Sequence, residues 1–362
     1  MQAEKGRSMS IKHPKNEQVK RTYFHMLRHA DGKSEATIRQ VNLTLARFER
    51  FTKHACFKTF DQRQAVAFKE HLSALGLSVA TILSTIKSVK RFLGWLAMQP
   101  GYKSRVHLND IEYLNLTDKT VRAATAARDV PHPTLAMVEK AIAAMPYETD
   151  IEKRDRALVA FGALTAIRVS ATVSLKRKHY EPRRELVSQN PREVDTKFSK
   201  RIDTFLFPIG GAFKAIFSDW IDHYDNTLLF GPDDPLFPAT RMGHDNQRQF
   251  RAAGLKREHW KTSNPARKIF KTAFEAAGLP TYTPHSFRHM IVHEMYGRGL
   301  SIVESKAWSQ NLGHESAMTT LTSYGKLSLD EQGRLIKNGM KAERSNDRPV
   351  TMADLKALMG KG

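Results

Sequence analysis

TPHSFRHMIVHEMYGRG, residues 283–299, places histidines at 285, 289 and 293 and an arginine at 288. Residues three or four apart lie on one side of a helix. If this stretch is helical, His285, Arg288, His289 and His293 therefore share a face. Such a face has two chemical uses: histidines at this spacing suggest a metal site, and a guanidinium beside an imidazole at a helix start suggests a phosphate cradle. The metal reading is the weaker. Three ligands on one straight helix spread along it, whereas zinc needs donors converging at ~2 Å. His293-Glu294 is followed by Met-Tyr-Gly, so no HExxH signature forms. Exposed or packing histidines are the plainer account of His289 and His293. His285 and Arg288, with Pro284 suited to a first helical turn, fit the anion reading.

The bulk of the chain points the same way. Lys and Arg number 58 against 37 Asp and Glu, a net charge of +21 over 362 residues. Such an excess implies a polyanionic partner, nucleic acid first and an anionic membrane surface second. No apolar run approaches the ~18 residues of a membrane span, and MQAEKGRSMSIKHPKNEQVKR lacks the apolar core of a signal peptide. A single cysteine, Cys56, excludes an internal disulfide framework and a multi-cysteine zinc site. The expectation is a cytoplasmic protein associated with DNA or RNA, without a membrane partner.

Outward from the opening stretch, the pattern predicts two domains and a mainly α fold with a small antiparallel sheet. Residues 1–18 are polar and expected to be flexible. Residues 19–98 read as helical throughout. Ser34 caps a stripe of Ile38, Val41, Leu45, Phe48 and Phe51, and Ser78 opens another of Ile82, Ile86, Val89, Leu93 and Leu96. Between them Val66, Phe68, Leu72 and Leu75 repeat the habit. Lys87, Lys90 and Arg91 form a basic ridge opposite the second stripe, either a solvated face or a set of DNA-phosphate contacts. Residues 99–130 lose periodicity and read as a linker ending in a Pro-His-Pro break. Residues 131–340 return to helical patterns, interrupted by REVDTKFSKRIDTFLFPIG, which alternates like a hairpin with TKFSKR at its turn. In the tail, 341–362, Thr351 is placed to cap a short helix with Leu355, Leu358 and Met359 on its apolar face.

The second domain carries further groups suited to a phosphate: Arg168 in TAIRVS, Lys197 in TKFSKR, His314 in NLGHES and Tyr324 in LTSYGK. In this order and at these separations they resemble the catalytic pattern of the tyrosine recombinases, the family of phage integrases, Xer recombinases and Cre. That pattern has an arginine in a T-G-L-R-x-S-E-like segment, a hairpin lysine, an H-x-x-R pair, L-G-H, and a tyrosine about ten residues on. The LFP of DDPLFPAT also resembles a stretch of many relatives, and the first domain resembles the family's helical, SAM-like core-binding domain. The resemblance covers about residues 19 to 340.

The resemblance implies a DNA breaking and rejoining enzyme without metal or nucleotide cofactor. Arg168 and Arg288 would hold the charge that develops on a phosphodiester under attack, for which a planar, permanently charged guanidinium is suited. Tyr324 would be the nucleophile and His285 its base; Lys197, with Lys200 as rival, would protonate the leaving 5′-oxygen. His314 would bind the phosphate or position the nucleophile. The partners implied are double-stranded recombination sites, further copies of the chain in a tetramer, and accessory or directionality proteins. Two positions depart from the pattern: Ala171 stands where an acidic residue is usual, and Ala166 where glycine is usual. Alternatives within the same chemistry are a tyrosine-class transposase and a type IB topoisomerase-like enzyme. A non-catalytic DNA-binding relative is the alternative that Ala171 motivates.

Overall fold

The computed structural model describes residues 13–125, 130–196, 200–244 and 249–314. The chain divides into two compact units, residues 1–126 and 127–362. Lys197, Tyr324 and the C-terminal segment therefore lie outside the described residues.

In the first unit, helices α1 (Pro14–His29), α2 (Glu35–Phe51), α3 (Gln62–Ala74) and α4 (Val79–Leu96) are followed by the short α5 (Leu108–Glu112) and by α6 (Asp118–Thr125). Ser34 and Ser78 cap α2 and α4 by accepting the backbone N–H of Thr37 and Thr81. Leu45, Phe48, Val89, Leu93 and Leu96 are buried in one core with Tyr23, Phe57 and Phe92. In α3 the inward positions are Ala65, Phe68 and Leu72, while Val66 and Leu75 face solvent.

Two expectations are corrected here. The chain is helical from Pro14, not flexible to residue 18. Asn16 is fully buried and pinned, its amide donating to the Ala55 carbonyl at 2.9 Å and accepting from the Phe57 N–H at 3.1 Å. Nor do residues 99–130 form a linker throughout. Tyr102, Val106, Ile111 and Leu114 join the core of the first unit, and the division falls after residue 126.

The second unit opens with α7 (Leu135–Ala143) and α8 (Asp150–Thr165), the latter entered through a Thr149/Glu152 capping box. The single turn α9 (Val169–Thr172) follows. Strands β1 (Tyr180–Glu181), β2 (Leu186–Gln189) and β3 (Ile202–Phe205) then pair antiparallel in that order. The hairpin is thus displaced from its expected position. Its first strand ends at Gln189, and residues 190–194 form a turn in which the Glu193 and Val194 N–H groups donate to the Asn190 carbonyl. TKFSKR still falls in the β2–β3 connection.

Helix α10 (Gly211–Asn226) packs on α8. A second hairpin, β4 (Ala239–His244) and β5 (Phe250–Lys256), was not expected. Helices α11 (Asn264–Ala276), α12 (Ser286–Gly297) and α13 (Ile302–Asn311) complete the described unit. Helix α8 is its centre, with Leu158, Phe161 and Leu164 buried against Phe217, Phe237, Phe270 and Phe287. A Cβ at Gly162 would come within 2.7 Å of the Phe270 ring, so glycine permits the close approach of α11. Buried Arg154, under Trp260, donates to the Pro238 carbonyl and the Thr240 hydroxyl and fastens β4 to α8. The architecture is mainly helical with small antiparallel sheets. Among the described residues no helix is long and apolar enough to cross a membrane.

Candidate active site

Three chain segments meet at the end of α8. The helix stops at Ala166, which adopts the left-handed region at φ 47°. That conformation costs an L-residue roughly 1–2 kcal/mol and is free to glycine, which explains why glycine is usual at this place. The turn it creates releases Arg168 as the N-cap residue of α9, half-buried at the edge of the unit. Ala171 behind it is buried in the apolar core.

The opening stretch of the sequence supplies the second segment. Helix α12 begins at Ser286, with His285 as its N-cap residue and Arg288 three positions on. His285 is exposed; Arg288 is buried at 2% exposure. The Arg288 guanidinium donates from Nη1 to the Ala166 carbonyl at 2.9 Å and from Nη2 to the Leu312 carbonyl at 2.5 Å. Nη2 also stands 2.8 Å from Nε2 of His314. One side chain thereby joins the Arg168 turn, α12 and the LGH segment.

That third segment is set by glycine. Gly313 has φ +71°, and a Cβ there would meet Ile202 of β3 at 2.8 Å. Helix α13 is pinned to the same strand: Asn311 donates to the Phe205 carbonyl at 2.9 Å and accepts from the Phe205 N–H at 2.7 Å, and its carbonyl accepts from the Thr204 hydroxyl at 3.0 Å. His314 is consequently fixed and buried. Burial first, then the charges of Arg288, Arg168 and His285, push its pKa down to about 3.

His289, His293 and His132 continue the cluster, the ring centroid of His289 lying 5.9 Å from that of His285. His289 is buried, and burial with the charges of His285, His132, His293 and Arg288 holds its pKa at about 4. His132, from the Pro-His-Pro break, stacks on His293 with ring centroids 4.1 Å apart and lies 6.5 Å from His289. No sequence signal marks His132, a lone histidine between two prolines. Among the described residues no group of three or more His, Cys, Asp or Glu side chains is arranged to hold a metal ion.

The structure thus brings Arg168 together with His285, Arg288 and His314, which lie more than a hundred residues further along the chain. Arg168 and His285 are its accessible members; Arg288 and His314 lie beneath. Lys197 and Tyr324 fall outside the described residues. In the first unit Lys87 is exposed, whereas Lys90 is paired with Glu112 at 2.9 Å and Arg91 with Asp31 at 2.6 Å. Two of the ridge's three cations are therefore neutralised within the unit.

Comparison with known proteins places the chain in a family and a fold. Residues 134–330 match the model of the phage integrase family. A lambda integrase (75–356) dimer bound to a COC' core site is 14% identical, covering 86% of this chain and 99% of that one, with a TM-score of 0.57. XerH site-specific recombinase bound to palindromic difH substrate, a post-cleavage complex, is 16% identical over 89% of this chain and 83% of that one, with a TM-score of 0.58. The Tn1549 transposon integrase bound to transposon right end DNA is 14% identical over 89% and 99%, with a TM-score of 0.50. At such identities the likeness is one of fold. No curated protein matches the chain.

Proposed function

Because the chain belongs to the phage integrase family of tyrosine site-specific recombinases, its model spanning residues 134–330, we propose that it cuts and rejoins duplex DNA through a covalent 3′-phosphotyrosyl intermediate. The reading is supported above all by the convergence of Arg168, His285 and Arg288 on the buried imidazole of His314.

Tyr324 Oη attacks the scissile phosphorus, forming a P–Oη bond as the P–O5′ bond breaks. The phenol, with an ordinary pKa of about 10, gives up its proton to His285, the exposed imidazole of the set. The leaving 5′-oxygen takes a proton from Lys197. Arg168 stabilises the non-bridging oxygens from the accessible edge of the site. Arg288 holds the floor: with Nη1 and Nη2 spent on Ala166, Leu312 and His314, it fixes the three segments relative to one another. Energy of the broken phosphodiester is retained in the phosphotyrosine, so a 5′-hydroxyl of a partner duplex reverses the step and completes strand exchange.

The excess of 58 basic over 37 acidic residues suits a clamp whose affinity comes chiefly from backbone phosphates. Strand exchange between two duplexes calls for several copies of the chain, a tetramer on paired sites, with accessory proteins setting direction. A mobile genetic element is the natural DNA for such an enzyme to integrate or excise, and residues 351–359 are the segment proposed to dock on a neighbouring copy.

End-group chemistry tests the reaction. Cleaved DNA should carry a 5′-hydroxyl that polynucleotide kinase labels without prior phosphatase, and a 3′ end blocked by protein. A free 3′-hydroxyl with a 5′-phosphate overturns the mechanism.

A further inference from the structure

Ser174, which belongs to none of the motifs above, ties the turn after Arg168 to the segment that runs into Lys197. Its hydroxyl donates to the Ala171 carbonyl at 2.9 Å and accepts the backbone N–H of Asp195 at 2.9 Å. A longer contact runs the other way, from the Ser170 hydroxyl to the Asp195 carbonyl at 3.4 Å. Both backbone polar groups of Asp195 are thus met by side chains of α9 and of the turn that follows it. The α9 side is the anchored one, since Ala171, Thr172, Val173 and Leu175 are all buried.

The approach to Asp195 is equally constrained. Val194 is buried, its N–H bonded to the Asn190 carbonyl at 2.8 Å, and the Thr196 N–H donates to the Val194 carbonyl at 2.8 Å. Beyond the connection, β3 begins at Ile202, the side chain lying against Gly313 of the His314 turn. One end of the β2–β3 connection is therefore tethered to the Arg168 turn and the other to the His314 turn.

We propose that Ser174 is a positioning residue for DNA cleavage: through the backbone of Asp195 it sets where Lys197, two residues on, stands relative to Arg168. The inference rests on Lys197 being the general acid. A general acid works only within hydrogen-bond reach of the oxygen it protonates. A lysine on a long connection needs a fixed point close by, and Asp195 is that point.

The test compares Ser174→Ala, which removes the hydroxyl, with Ser174→Thr, which keeps it. The substrate is the crossover site recovered by covalent trapping, made with its ordinary 5′-oxygen or with sulfur at the bridging 5′ position. A thiolate leaves without needing a proton, so sulfur bypasses the general acid. Ser174→Ala is expected to cleave the oxygen substrate about tenfold more slowly than wild type. On the sulfur substrate it should approach the wild-type rate, and Ser174→Thr should cleave both forms well. Equal slowing on both substrates, or no slowing on oxygen, overturns the proposal. Hydrogen exchange reads the tether without DNA: the Asp195 amide should exchange faster in Ser174→Ala while the amides of α8 do not, and unchanged exchange at Asp195 also overturns it. Lys197→Ala in parallel separates the two ideas. Its failure to recover on sulfur overturns the assignment of Lys197; its recovery without that of Ser174→Ala overturns the positioning role alone.

Discussion

Nη2 of Arg288 stands 2.8 Å from Nε2 of His314. A guanidinium has only donors, so Nε2 must be the unprotonated ring nitrogen and the imidazole is neutral. This agrees with the pKa pushed down to about 3 by burial and by the surrounding cations. His314 is thus a hydrogen-bonding group across the physiological range, which is why exposed His285 is the group proposed to take the tyrosine proton.

Arg288 serves three acceptors at once, two of them backbone carbonyls. A lysine ammonium cannot span acceptors arranged around a planar fork. Arg288→Lys is expected to lose about 2–4 kcal/mol of stability, the worth of one or two charge-assisted hydrogen bonds left unmade in a buried place. Urea unfolding should show a lower midpoint at unchanged slope. A wild-type midpoint would contradict the anchoring role.

His314 and His289 make stability depend on pH. Burial is the larger cause of both depressed values, about 3 and about 4, with neighbouring positive groups next. In the unfolded chain a histidine takes up its proton near pH 6.5. Between that pH and the folded values the unfolded state holds more protons, so stability rises with pH in this window. The contribution is complete above about 6.5 and is lost as pH falls toward 4, on the order of 2 kcal/mol per histidine at pH 5. Urea unfolding at pH 7 and pH 5 measures the loss, and His289→Gln should show a smaller one. An unchanged pH dependence in that variant would exclude buried neutral His289 as a source.

Gly313 is held by two demands, its positive φ and the 2.8 Å approach of Ile202. Gly313→Ala is expected to cost about 2–4 kcal/mol, roughly half from the left-handed backbone and half from overpacking. In an Ile202→Ala background the added cost should fall to about 1–2 kcal/mol, the backbone share alone. Strict additivity of the two substitutions would refute the contact.

Binding to random duplex DNA tests the ridge on α4. Lys87→Ala should lower the slope of log K against log salt by about 0.9, the share of one phosphate contact. Lys90→Ala and Arg91→Ala should change it less, because Glu112 and Asp31 already neutralise those cations. Equal slopes for all three variants would remove the distinction.

Much of this organisation is legible in the chain, for identifiable reasons. Ser34 and Ser78 announce their helices because caps and stripes are local. Arg168, His285, Arg288 and His314 are legible by order and spacing, although nothing local shows that they meet. What escaped was polar burial and short-range irregularity. Asn16 reads as solvent-facing, yet it is buried through two backbone hydrogen bonds. Tyr102, Val106, Ile111 and Leu114 enter the core from turns and one short helix, with no period to reveal them. In β4 and β5, ATRMGH and FRAAGLK hold a single β-branched residue, Thr240, too few to mark a strand. Ala166 was conspicuous in sequence as a missing glycine; the structure supplies the positive φ that glycine relieves.

The most direct test of the central claim is covalent trapping. Wild-type protein and Tyr324→Phe are incubated with nicked, fragmented DNA of the source genome, and protein–DNA adducts that survive SDS are recovered and sequenced. Wild type is expected to give adducts and Tyr324→Phe none, with recovered fragments that converge on one crossover site. Adducts that persist in Tyr324→Phe, or tight DNA binding by both proteins with no adduct from either, would contradict it.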